Sequence, residues 1–157
     1  MALTFPLPIL GAPGSPYTRK MLALMRYRRI AYRFLIGRTG AASSLPRPKV
    51  ELLPTFYLPN AAGEIEAVVD STPILRRLER EVAGRTALPP DPVIGFLDEL
   101  LEDYADEWLT KAMFHYRWAY AEDARKASRV LPLDMRLDLD ASQREFAAKF
   151  FGDRQIG

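Results

Sequence analysis

Ser15 stands directly before Pro16. Ser is a favoured helix N-cap, and Pro suits the first helical position because its missing N–H costs nothing there. A hydroxyl at such a place has two uses. It caps the helix, or it donates a hydrogen bond to a bound thiolate while the free amides and the helix dipole add positive potential. The second use lowers a thiol's pKa towards neutrality, so more of it is thiolate at pH 7. Tyr17 offers a second hydroxyl, although its position on an apolar stripe also suits core packing. Asp70-Ser71-Thr72-Pro73 is another good helix cap. Pro54, inside the apolar run Leu52–Leu58, marks an edge strand or a special turn.

Other chemistries are excluded. The chain has no Cys, so disulfides, thiolate metal sites and cysteine nucleophiles are ruled out. His115 is the one His, which removes multi-His metal cages. It reads as a surface or helix-packed residue. Asp98, Glu99, Glu102, Asp103, Asp106 and Glu107 form an acidic series, more a solvated face than a metal site. Helical spacing on a polar face gives no burial to tune a carboxylate pair for acid–base work. Tyr104, Trp108, Tyr116, Trp118 and Tyr120 suit either an ordinary helical core or the lining of an apolar pocket.

The elements that must position these residues follow from pattern. Leu7–Leu10 reads as a strand ending in the loop Gly11–Gly14. A helix opens at Ser15-Pro16, with Tyr17, Met21, Leu24 and Met25 on one stripe and Arg26, Arg28 and Arg29 closing it. Ile30–Ile36 is the second strand. Residues 37–50, rich in Gly, Ser and Pro, form a loop with little room for a helix. Leu52–Leu58 and Glu64–Val69 make a hairpin around Asn60–Gly63. A helix starts at Asp70, with Ile74, Leu75, Leu78 and Val82 as its apolar side. The order is β-α-β then β-β-α. A helical crossover implies a parallel pair and a hairpin an antiparallel one. A mixed four-stranded α/β sheet follows, over residues 1–84. After a Pro-rich linker, 85–91, a helical region covers 92–157. Its first helix opens at Asp91-Pro92 and runs to about residue 121, with Leu97, Leu100, Leu101, Tyr104, Trp108 and Ala112 on one face. Residues 131–140 connect to a short helix, Ala141–Phe151.

The chain has 157 residues, 48% hydrophobic and 27% charged, a balance that can bury a core without staples. Net charge is +2 but uneven. Residues 1–90 hold 13 Lys/Arg against 6 Asp/Glu, and residues 91–157 hold 9 against 14. The basic front half could attract an anionic ligand, or the two halves could complement each other. No apolar run reaches the roughly 20 residues of a membrane span. The first residues lack the basic start of a signal peptide. A soluble, cytoplasmic protein is the default expectation.

With the elements in place, three motifs match in order. They are Gly14-Ser15-Pro16-Tyr17-Thr18-Arg19-Lys20, Leu53-Pro54-Thr55 and Asp70-Ser71. Together they resemble the thioredoxin-like N-terminal domain of the cytosolic glutathione S-transferases. The following connector and long helix resemble the start of that family's all-α domain. The resemblance covers roughly residues 1–120. The chain stops where the family is usually several helices larger, so a minimal relative or a piece of a longer protein is expected, and the end just beyond a helix favours the piece. Ser15 directly before Pro16 has omega-like spacing, with Ser where those enzymes carry Cys; in several Ser-type classes the catalytic Ser would fall on Gly14. The absence of that Cys argues against a mixed disulfide with glutathione, hence against thiol-reductase activity.

The resemblance implies a detoxifying transferase that joins glutathione to small hydrophobic electrophiles. Ser15, or second to it Tyr17, would meet the glutathione sulfur. A cis Leu53-Pro54 bond would turn the Leu53 N–H and C=O towards the peptide, which pairs as an added strand. Ser71 and the helix amides would hold the γ-glutamyl carboxylate. Asp70 stands where the family usually has the longer Gln or Glu. A homodimer is implied, and no metal. Two rivals remain: a non-catalytic binding protein of the same fold, and a nucleic-acid binder resting on Arg26, Arg28, Arg29 and Arg33, for which no recognition motif is present.

Overall fold

The structure, a computed structural model, describes residues 3–38 and 40–156. It divides into two units, one up to Asp91 and one from Pro92 onward.

The first unit is built on a four-stranded sheet. Strand β1 (Leu7–Gly11) pairs parallel with β2 (Tyr32–Ile36) through the crossover helix α1 (Pro16–Arg28). It pairs antiparallel with β3 (Thr55–Pro59), which pairs antiparallel with β4 (Ile65–Val68). The order is β2-β1-β3-β4. Helix α2 (Ser71–Glu81) follows β4. This is the mixed four-stranded α/β sheet that the pattern predicts, and it fits the thioredoxin-like fold that the resemblance implies.

Side chains on β1 and β3 alternate between two faces, as the period of two requires. Leu7, Ile9, Phe56 and Leu58 join Met21, Leu22, Leu24 and Met25 of α1 and Ile74 and Leu78 of α2 in the main core. Leu10 and Tyr57 point the other way, onto Ala42 and the partly buried Leu45 and Leu53. Among the described residues of the loop after β2, only a 3-10 turn, Gly40–Ala42, forms. Each fully buried aliphatic or aromatic side chain here is worth about 1.5–3 kcal/mol of burial.

Several expectations are corrected. Pro54 is not in an edge strand: β3 is interior and starts one residue later, at Thr55. A proline has no N–H for the ladder, so the strand begins after it. Strand β2 starts at Tyr32, because Arg29 turns left-handed (φ 57°) to end α1 and the Ile30 N–H bonds the Met25 carbonyl. Tyr17 is half-buried and outside the core; Thr18 takes its place, fully buried.

The ends of α1 and α2 are joined by a charged cluster that no local pattern announced. Arg28 is almost fully buried. Its Nε donates to the Arg85 carbonyl (2.8 Å) and Nη2 to that of Val82 (2.5 Å). The Glu79 carboxylate lies 3.2 Å away and accepts from the Thr86 hydroxyl (2.7 Å) and the Ala87 N–H (3.0 Å). Residues 85–87, just past α2, are thereby fastened to the first unit.

The second unit contains α3 (Pro92–Asp103), a π-helical stretch (Tyr104–Leu109), α4 (Thr110–Trp118), α5 (Ala121–Val130) and α6 (Ala141–Ile156). The long first helix is present but interrupted by the π stretch, and α5 is an element the pattern did not show. Trp118 packs on Phe114 and Phe151, with ring centroids 6.2 and 6.1 Å apart. Gly152 lies against Ser128: a Cβ there would sit 2.7 Å from the Ser128 Oγ. Of the five aromatics, only Trp118 is core; Tyr104, Trp108, Tyr116 and Tyr120 are more than half exposed.

Candidate functional site

The sheet register gathers the chemistry-bearing stretches at one rim. Leu10 is paired with Thr55, so one step further sets Gly11 opposite Pro54. Phe56 is paired with Val68, so two steps further set Pro54 opposite Asp70. The exit of β1, the entry of β3 and the exit of β4 thus form one row. The loop to Ser15 leaves from the first, the Leu53–Pro54 turn is the second, and Asp70-Ser71 is the third.

Gly11 allows the loop to pack there. A Cβ on it would stand 2.6 Å from the Thr18 Cγ2 and 2.8 Å from the Phe34 ring. Thr18 also accepts the Ala12 N–H at 3.4 Å. The Ser15 Oγ accepts the Thr18 N–H at 3.2 Å, and the Ser15 N–H bonds the Ala12 carbonyl at 3.0 Å. The Ser15 hydroxyl is therefore the α1 cap. Capping uses only an oxygen lone pair; its proton is free to be donated elsewhere. No acidic residue lies in the first turn of α1, so nothing there offsets the positive helix end.

The Leu53–Pro54 peptide is cis. Pro54 is buried, and the Thr55 hydroxyl donates to the Leu52 carbonyl at 2.8 Å, fastening the turn across its base. The Leu53-Pro54-Thr55 motif includes Thr55 without giving its hydroxyl a role. Its place directly after the proline was the only signal.

Asp70 is exposed, and its carboxylate caps α2 by accepting the Thr72 N–H at 3.3 Å. Its backbone has φ 78° and ψ 117°, a region that side-chain-bearing residues rarely enter. Such strain costs about 1–3 kcal/mol and persists where the surroundings dictate it. Ser71, by contrast, is buried at the first position of α2. Lys20 reaches across from α1, its Nζ 3.5 Å from the Thr72 Oγ1. The α1 N-terminus and the Lys20 ammonium are positive and the Asp70 carboxylate negative, so the rim suits a ligand that carries charges of both signs.

Elsewhere, burial pushes the Tyr57 phenol up, opposed by the nearby Arg38 charge, and its hydroxyl has no partner among the described residues. A groove of about 720 Å³ between α5 and α6 contains none of the rim residues. Among the described residues no group of three His, Asp or Glu could hold a metal, and no helix is long and apolar enough to cross a membrane.

Residues 9–86 match the family model described as the glutathione S-transferase N-terminal domain. That match covers β1 from Ile9 onward, the other three strands and both helices of the first unit, the whole rim included. No curated protein matches the chain.

Proposed function

Starting from the chain's membership of the glutathione S-transferase family, we propose that it binds glutathione along the rim and joins it to small hydrophobic electrophiles. One observation carries this reading: the register puts Ser15's loop, the cis Leu53–Pro54 turn and Asp70-Ser71 in one row. A tripeptide laid along that row would pair its backbone with Leu53. Its γ-glutamyl carboxylate would reach Ser71 and the α2 amides, and its sulfur the start of α1.

Ser15 would then act without leaving its cap. Its oxygen keeps the Thr18 N–H, and its proton goes to the glutathione sulfur. The α1 amides lower the thiol's pKa further, and the resulting thiolate attacks the electrophile. Tyr17, half-buried two residues on, is the second hydroxyl in this reading. No metal is required.

Residues 1–84 would be the glutathione-binding domain, 85–91 the linker and 92–157 the helical domain. The helical unit exposes large apolar side chains, among them Phe96, Leu101 and Trp108, each at least 62% exposed. A surface of that kind marks an interaction site. In our reading it supports a homodimer and contact with hydrophobic substrate, in a cytoplasmic protein.

The second reading is a non-catalytic binding protein of the same family, favoured by Ser15 already serving as the α1 cap. Turnover of a generic aromatic electrophile with glutathione separates the two. The enzyme reading predicts conjugation by the intact protein and at least a tenfold loss in Ser15→Ala, on the order of one donated hydrogen bond to a charged sulfur. Glutathione binding without any turnover would favour the second reading. No binding at all would remove both.

A further inference from the structure

We propose that Thr18 is a positioning residue: buried beneath the rim, it fixes the loop from Gly11 to Ser15 and so sets where the Ser15 hydroxyl points. Thr18 itself touches no ligand, and its role rests on the glutathione-binding reading.

A hydroxyl on the core face of a helix costs free energy unless it finds a hydrogen bond, and valine would fill the same space without that cost. Thr18 is fully buried on α1. Its Oγ1 accepts the N–H of Ala12, a buried residue just past the end of β1. The Ala12 carbonyl in turn accepts the Ser15 N–H at 3.0 Å, and the Ser15 Oγ accepts the Thr18 N–H at 3.2 Å. These bonds close a ring: the Thr18 hydroxyl to Ala12, Ala12 to Ser15, and Ser15 back to Thr18. The methyl branch of Thr18 is used as well. It lies against Gly11, where a Cβ would come within 2.6 Å of the Thr18 Cγ2. A β-branched side chain has few χ1 states in a helix, and contacts on both branches select among them.

The ring ties the Ser15 Oγ to the end of the sheet. A donor aimed before the substrate arrives needs no reorganisation when charge develops on the sulfur. Valine at position 18 would keep the shape and the N–H that Ser15 accepts. It would leave the buried Ala12 N–H without its acceptor, an expensive state that the loop relieves by shifting. Ser15 lies on that loop and moves with it. A displacement of about 1 Å in a positioned group is enough to cost up to about a hundredfold in rate.

The test is ultraviolet difference titration of glutathione bound to the full chain, which reads the ionisation midpoint of the bound thiol. Ser15→Ala is expected to raise that midpoint by about one unit, the scale of one hydrogen bond to a charged group. Thr18→Val should raise it by about half a unit or more. Thr18→Ser keeps the acceptor and should stay close to the unaltered protein. The double variant Ser15→Ala/Thr18→Val should match Ser15→Ala alone, because residue 18 reaches the sulfur only through residue 15. An unmoved midpoint in Thr18→Val overturns the proposal even if stability falls, since that outcome assigns Thr18 to packing. Shifts that add in full in the double variant overturn it too. Either result leaves the glutathione reading intact. Failure of the intact protein to bind glutathione, or a midpoint indifferent to Ser15→Ala, overturns both. Circular dichroism establishes that each variant is folded, and loss of fold in Thr18→Val shifts the decision to Thr18→Ala by the same criterion.

Discussion

Removing the Arg28 guanidinium should cost more stability than any other single change away from the apolar core. In Arg28→Met the aliphatic stem remains, so the packing loss is small. The charged head is what disappears. The Val82 and Arg85 carbonyls lose their donors, and the Glu79 carboxylate, itself only 9% exposed, keeps two neutral donors but no cation. Breaking a buried ion pair from one side typically costs about 3–5 kcal/mol. Because the Arg28 Nη1 has no partner among the described residues, the pair is imperfectly satisfied, and the lower figure of about 3 kcal/mol is the expectation. Urea unfolding of the full chain, followed by far-ultraviolet circular dichroism, measures it. The double variant Arg28→Met/Glu79→Leu should cost clearly less than the sum of the two single changes, since it removes the stranded charge. The same lesion frees the C-terminal ends of α1 and α2 from residues 85–87, so glutathione affinity should fall along with stability. A loss below about 1 kcal/mol in Arg28→Met, or strict additivity in the double variant, would refute the reasoning.

Asp70→Gly should raise stability by about 1 kcal/mol, because glycine accepts φ 78° freely and is a tolerable N-cap, while glutathione binds more weakly; a denaturation curve and a titration on one sample check both halves. Tyr57→Phe should stabilise the first unit by about 1 kcal/mol, since it deletes a buried hydroxyl with no partner among the described residues; an unchanged or lower urea midpoint would contradict this. Asp140 accepts the Gln143 N–H and the Ser142 hydroxyl at the start of α6, and these bonds hold its carboxyl below the ordinary aspartate range. A depressed pKa means stability that is present above the ordinary value and lost as pH falls through the lowered one. Asp140→Asn should therefore flatten the acid limb of the α6 unfolding profile below about pH 4, as seen by circular dichroism.

What could be read from the chain, and what could not, divides by the range of the interactions. Strands β1 and β2 and helices α1 and α2 announce themselves through residues within a turn or two: the Leu7–Leu10 run, Ser15-Pro16, Asp70-Ser71, and the Ile74, Leu78 spacing. The rim was legible because three local motifs fix where it starts. The first unit's charged cluster was not, since Arg28 meets residues 51–57 positions away, and Lys20 meets one 52 away. Helix α5 escaped because its inward side is built from Ala124, Ala127 and Ser128, residues too small to announce a core-facing stripe. The exposed Tyr104 and Trp108 show the converse limit: an apolar periodicity gives a helix a face without stating what covers it.

The central claim is that the α1 mouth with Ser15 turns a bound glutathione thiol into a thiolate. Ultraviolet difference absorbance near the thiolate band, recorded on the full chain with glutathione across pH 5–9, measures that directly. The account predicts that bound glutathione ionises well below the roughly 8.5 of a free thiol, and that Ser15→Ala moves the midpoint back upward. A bound thiol that titrates like the free peptide, or a midpoint indifferent to Ser15, would contradict it.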